Sequence, residues 1–171
     1  KFVYVFDRSG SMGGSGRSAL NSAKAELLAS LEDLGDTHQF QIIFYNQQPT
    51  IFPLAGQEGR LVFANPPNKL RAEQFIRQIT ADGATSHEDA LKAALSLRPD
   101  VIFFLTDADE PSLNTAQMKR VERLNSGRTV IHVIEFGMGP YLGVENFLVR
   151  LARENRGTHA YVDISKLGPV R

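Results

Sequence analysis

The 171-residue sequence contains no cysteine, which excludes disulfide bridges, zinc–thiolate sites and cysteine nucleophiles together. It also lacks net charge, with 19 Lys+Arg against 19 Asp+Glu. That balance gives no general attraction to nucleic acid or to an anionic membrane surface, so specificity must come from a local site. No apolar run approaches the length of a membrane span, so no membrane insertion is expected from this segment. Internal repeats, low-complexity tracts and charge runs are missing too. No signal peptide precedes the first strand-like segment, for which Lys1 is the only lead-in. So abrupt a start reads as one domain, residues 1–171, cut from a longer chain.

What is present suits a globular domain able to bury a full core: 42% hydrophobic and 22% charged residues. The apolar runs are short and rich in Val, Ile and Phe. Phe2–Phe6, Phe40–Tyr45, Val101–Leu105, Thr129–Phe136 and His159–Val162 read as strands, and Thr50–Leu54 as a hairpin partner at a sheet edge, where Pro53 is tolerated. Helical periodicity fills Ser18–Leu34, Leu70–Ile79, Leu113–Asn125 and Val144–Asn155. A further helix starts at Ser86, with Asp89 completing a capping box. Residues 55–67 read as loop, broken by Asn65-Pro66-Pro67. Strands alternating with helices of this length call for an α/β, doubly wound, mostly parallel sheet with helices on both faces and the short hairpin strand antiparallel.

In such sheets ligands bind beyond the carboxyl ends of the strands, where the strand order switches direction. The two most apolar strands should be central neighbours, and each ends in a polar cluster. The first cluster is Asp7, Ser9 and Ser11; the second is Thr106-Asp107-Ala108-Asp109. A third polar turn, Gly83-Ala84-Thr85-Ser86, leads into a helix. Ser11–Ser18 (SMGGSGRS) approximates a phosphate loop, but Ser11 replaces the first glycine, Arg17 replaces the lysine, and the strand ends too early. The glycines do not fit a dinucleotide fingerprint. The pattern G-x-S-x-G of a nucleophile elbow is absent. An aspartyl phosphatase reading of Asp107-Ala108-Asp109 leaves the first cluster unused.

A hard-cation site accounts for all three turns. Mg²⁺ takes oxygen ligands in near-octahedral geometry and keeps several waters. Ser9, Ser11 and Thr85 offer neutral hydroxyls, and Asp7 and Asp107 offer carboxylates that hold the metal's waters or bind it directly. In an extended turn, the i, i+2, i+4 spacing of Asp7, Ser9 and Ser11 aims the three side chains at one spot. The helix after Gly16 points its positive end there. Neutral ligands leave the cation electron-poor, so an open position would favour an incoming carboxylate. The plainer account of each residue singly is a helix cap; five of them in three turns at one switch point exceed it.

The ordered trio Asp7-x-Ser9-x-Ser11, Thr85 and Asp107 resembles the metal-ion-dependent adhesion site of the von Willebrand factor type A domain family. FVYVFDRSGSM, FQIIFYN, ADGATSHEDAL, VIFFLTDAD and TVIHVIEFG are similar to that family's successive elements and cover nearly the whole chain. The resemblance implies a Rossmann-like, six-stranded sheet with one short antiparallel edge strand. It implies that Ser9, Ser11 and Thr85 coordinate Mg²⁺ or Mn²⁺, with Ca²⁺ as a further candidate, and that Asp7 and Asp107 act through water. It implies a non-enzymatic module for adhesion or assembly that binds a Glu or Asp carboxylate of a protein partner, inside or outside the cell. A metal-dependent phosphoryl-transfer or hydrolase enzyme, and a scaffold whose metal site has no function, stay open as alternatives. Ala108 stands where the family commonly has glycine, which leaves the backbone of that turn open. Asp109 reads as a solvated surface acid, His87 as a surface histidine at a helix start, and His132 as a satisfied residue of a core strand. Arg8 reads equally as a partner contact or a solvated charge, and the Gly56–Asn68 loop is long enough to contribute to recognition.

Overall fold

Alternating Val, Ile and Phe segments build one sheet, and Leu- and Ala-striped segments pack on its two sides. The computed structural model describes residues 1–13, 18–107 and 111–166. In chain order the elements are β1 (Phe2–Asp7), α1 (Ala19–Glu32), β2 (Gln39–Tyr45), β3 (Pro49–Ile51), β4 (Val62–Phe63), α2 (Pro66–Gln78) and α3 (His87–Ser96). They continue with β5 (Val101–Thr106), α4 (Thr115–Asn125), β6 (Val130–Gly137), α5 (Phe147–Glu154) and β7 (His159–Asp163). The sheet runs β3-β2-β1-β5-β6-β7, with β4 also paired to β2. β1, β2, β5, β6 and β7 are parallel; β3 and β4 are antiparallel to β2.

Strand parity sorts the core into two layers. Tyr4, Phe6, Phe40, Ile42 and Phe44 face α1 and α2, whose Leu20, Leu27, Leu31, Ala72 and Ile76 cover them. Val3, Val5, Ile43, Ile102, Phe104, Ile131 and Val133 face α3, α4 and α5, meeting Leu91, Ala94, Val121, Leu148 and Leu151. The same parity carries the last residues of β1 and β5, Asp7 and Thr106, onto the α3 side. From β1 the chain steps to β2 on one side and β5 lies on the other. That reversal opens a crevice at their carboxyl ends.

Several local expectations shift, each for a physical reason. Asn65-Pro66-Pro67, read as a breaker, starts α2: the Asn65 side chain accepts from Asn68 N (3.1 Å), and proline, which has no N–H, suits a first turn whose N–H groups find no acceptor within the helix. The loop before it contributes β4, a two-residue seventh strand added to the expected sheet. The hairpin strand ends at Ile51, so Pro53 lies outside it. α5 begins at Phe147 and not at Val144, because Asn146 Oδ1 caps it by accepting from Leu148 N and Val149 N (2.9 and 3.1 Å). The capping box at α3 is not formed. Ser86 N is engaged by Asn46 O (2.8 Å), and Ser86 Oγ donates to Asp89 Oδ2 (2.8 Å) and accepts no helix N–H. The box appears at α4, between Asn114 and Gln117.

Candidate metal site

Asp7 ends β1 almost fully buried, at 1% exposure. Its Oδ1 accepts from Ser9 N (2.8 Å), and its Oδ2 accepts from Thr106 Oγ1 (2.7 Å) at the end of the neighbouring strand. Ser9 is buried and Ser11 exposed, and their hydroxyl oxygens lie 3.1 Å apart. Asp107 follows β5 directly and is half-buried.

Thr85, half-buried, arrives on the α2–α3 connection. That connection is tied to the first loop by Gly10 N donating to Gly83 O (2.9 Å) and Asp82 N donating to Arg8 O (2.8 Å). Asn46, just past β2, holds it from a third side. Its Nδ2 donates to Asp82 O (3.0 Å), and its carbonyl oxygen accepts from Ser86 N. Gly83 has φ +77°, and a Cβ there would meet Asn46 Nδ2 at 3.0 Å, so the close approach requires glycine. The structure thus brings the Asp7–Ser11 loop, the Thr85 segment and the end of β5 to one edge of the sheet. Segment 14–17 with its four residues, Ala108 and Asp109 lie outside the described residues; so does the expected path of the helix end from Gly16.

Beneath this edge lies a buried aromatic support. Tyr45 ends β2 opposite Asp7, and its hydroxyl is 2.8 Å from His87 Nδ1. Burial raises the Tyr45 pKa well above its ordinary value; the charges of Asp7 and Asp107 add to this, and the hydrogen bond with Thr106 opposes it. The phenol therefore stays neutral throughout the physiological range. His87 is no surface histidine: at 2% exposure it packs against the rings of Tyr45, Phe104 and Phe147. Arg8 Nη1 donates to Thr80 O (3.2 Å), bracing the α2–α3 connection. His132 stacks on Phe103 and bonds Thr158 Oγ1 (2.9 Å), as a satisfied strand residue would.

Sequence reasoning gave no role to Thr106 and Asn46. The signal for Thr106 was available in parity, since 102, 104 and 106 share a face just as 3, 5 and 7 do. No comparable local signal marks Asn46. Among the described residues no group of three or more His, Cys, Asp or Glu side chains is arranged to hold a metal.

No protein-family model matches the chain. A solved von Willebrand factor type A protein from Catenulispora acidiphila superimposes with a TM-score of 0.80 at 19% identity, covering 96% of this chain and 39% of that one. The chain has the von Willebrand factor type A fold. Proximal thread matrix protein 1 from the mussel byssus, solved with zinc in its MIDAS motif, shares the fold at TM-score 0.68 and 20% identity, over 97% of this chain and 42% of its own. Manganese-loaded TRAP protein of Plasmodium vivax does so at 0.67 and 18%, over 96% and 68%. In sequence, the chain is 27% identical to inter-alpha-trypsin inhibitor heavy chain H3 of Mesocricetus auratus over 171 residues, 91% of this chain and 18% of that protein. The chain therefore spans less than a fifth of that relative's length.

Proposed function

We propose that this type A domain is a metal-dependent protein-binding module. In this reading Ser9, Ser11 and Thr85 hold a divalent cation, and Asp7 and Asp107 hold its waters. The observation that carries it is the pair of hydroxyl oxygens 3.1 Å apart beside the buried Asp7 carboxylate. Adjacent ligands of an octahedral ion with bonds of ~2.1 Å are separated by about 3.0 Å, so the two hydroxyls are close enough to share one cation.

The chain's own residues divide the work. Asp7 is pinned by Ser9 N and Thr106 Oγ1, so its carboxylate stays fixed where it would hold a metal-bound water. Ser9 and Ser11 contribute oxygen without charge, and Asn46 and Gly10 keep the Thr85 segment against them. A bound cation would supply a Lewis-acidic open position, and a Glu or Asp carboxylate of a protein partner suits it best. The metal-loaded fold neighbours lend this support. An enzyme reading gains nothing from the geometry, because His87, the histidine nearest the site in sequence, is committed to the aromatic core beneath it.

Calorimetric titration with MnCl₂ tests the reading on the chain and on Ser9→Ala and Thr85→Ala. We expect saturable binding of one ion, weakened about tenfold or more in each variant. Absence of heat and of thermal stabilisation at millimolar Mn²⁺ and Mg²⁺ would overturn it.

A further inference from the structure

At the opposite end of the sheet, a cavity of about 690 Å³ opens between the last turns of α3 and α4. Pro99 and Thr129, just before β5 and β6, form its floor; Leu95 and Leu124 give it apolar walls. Three cations, Lys92, Arg98 and Arg128, line it against a single acid, Asp100. Lys92 is engaged by Glu88 (2.9 Å). Among the described residues, neither the Arg98 nor the Arg128 guanidinium has an ion-pair or hydrogen-bond partner.

Arginine beside a helix C-terminus ordinarily serves the free carbonyls there. That task is already taken. Leu97 N and Arg98 N return to Ala94 O and Leu95 O, and Ser96 Oγ donates to Ala93 O. Past α4, Arg156 Nη2 donates to Gly127 O and Arg128 O (2.5 and 3.2 Å). Arg98 moreover holds φ +51°, a left-handed conformation that glycine adopts freely and arginine does not. Arg98 is thus the left-handed residue that ends α3, and among the described residues its guanidinium bonds nothing. Leu124 stands 55% exposed at the lip. The wall behind is preformed: Asn125 Nδ2 donates to Thr129 O and Asn155 Oδ1 (both 2.7 Å), and Thr129 Oγ1 donates to Pro99 O (2.7 Å).

We infer that this cavity binds a small amphipathic anion, with a carboxylate or sulfonate head at Arg98 and Arg128 and an apolar body on Leu95 and Leu124. The size falls within the ~300–1,000 Å³ of small-molecule sites, and a few polar groups converge on an apolar wall as such sites require. Two guanidiniums suit a planar or trigonal oxyanion. The site is remote from the proposed metal site and does not depend on it.

The probe is 8-anilinonaphthalene-1-sulfonate, titrated into the intact chain in EDTA and read by fluorescence. Octanoate serves as competitor and N-phenyl-1-naphthylamine as the uncharged comparison. One saturable site is expected, displaced by octanoate and weakened about tenfold or more in Arg98→Ala/Arg128→Ala. The uncharged dye should be indifferent to that double variant but weakened by Leu124→Asp. Arg98→Gly should raise thermal stability while lowering sulfonate affinity, a split that no purely structural role produces. Sulfonate affinity unchanged in the double variant would overturn the inference. So would loss of the dye signal in Leu142→Ser, since Leu142 is an 82% exposed side chain on the β6–α5 loop, at the far end of the sheet.

Discussion

Replacing Thr106 with valine removes one hydroxyl and little volume, and it isolates what holds Asp7 in place. Thr106 Oγ1 donates to Asp7 Oδ2 at 2.7 Å, with both residues buried to within 1% of completely. A hydrogen bond to a charged group contributes about 1.5–3 kcal/mol net, and a methyl group turned toward a buried carboxylate adds desolvation, so the expected loss is about 2 kcal/mol or slightly more. For a domain of this size that is a fall in Tm of about 4–8 °C. Urea unfolding at pH 7 should show a lower midpoint with an unchanged slope, and Thr106→Ser should recover most of the loss. A double-mutant cycle with Asp7→Asn isolates the pair, and a coupling of about 1 kcal/mol or more is expected. If Thr106→Val unfolds within about 0.5 kcal/mol of the parent and the coupling vanishes, Thr106 does not hold Asp7. On the metal-site reading, the same variant should also weaken Mn²⁺ binding.

Three other perturbations have definite outcomes. Glu88 accepts from Arg120 (2.6 and 3.0 Å) and Lys92, tying α3 to α4, and chiefly the Arg120 bond brings its pKa down to about 2. The depressed folded value stabilises the protein above the unfolded carboxylate range, and that contribution is lost as pH falls from about 4.5 towards 2. With Arg120 and Lys92 nearly half exposed, screening reduces the contribution to about 1–2 kcal/mol; Glu88→Gln should lose it at pH 7, and the gap should close near pH 2. Gly157→Ala would set a Cβ 1.8 Å from Ile131 O, a backbone atom unable to yield. We expect a loss of about 3 kcal/mol or more by urea unfolding, or no folded product. Asn46→Ala loosens the α2–α3 connection, because the Nδ2 bond to Asp82 O is lost while the backbone bond from Ser86 N to residue 46 remains. It should cost about 1–2 kcal/mol and raise hydrogen exchange at Asp82 and Ser86 selectively.

Strand and helix existence was legible because it rests on local periodicity. FVYVF and VIFFL could only be strands covered on both faces, and their shared length and composition placed them together at the centre, where β1 and β5 lie side by side. The polar residues ending those strands could likewise be read from position alone. Ends of elements were less legible where one residue type carries two meanings. Paired prolines mark a break or a helix start, and the Asn65 cap decides between them. Gly157 lies just past α5, yet its tightest constraint is the Ile131 carbonyl pressed against it from β6.

By itself, then, the sequence determined the alternation of elements and the two-sided burial of the central strands, and it nominated the five oxygen-bearing residues of the candidate site. These follow from parity and period, which need only neighbours along the chain. Tertiary structure alone decided that Thr106 holds Asp7 across 99 residues, that Asn46 anchors the Thr85 segment, and that His87 lies beneath the site among aromatic rings and away from its rim. Those contacts depend on the register between strands remote in sequence. That register is selected by how two apolar layers pack over the whole sheet, and no local pattern contains it.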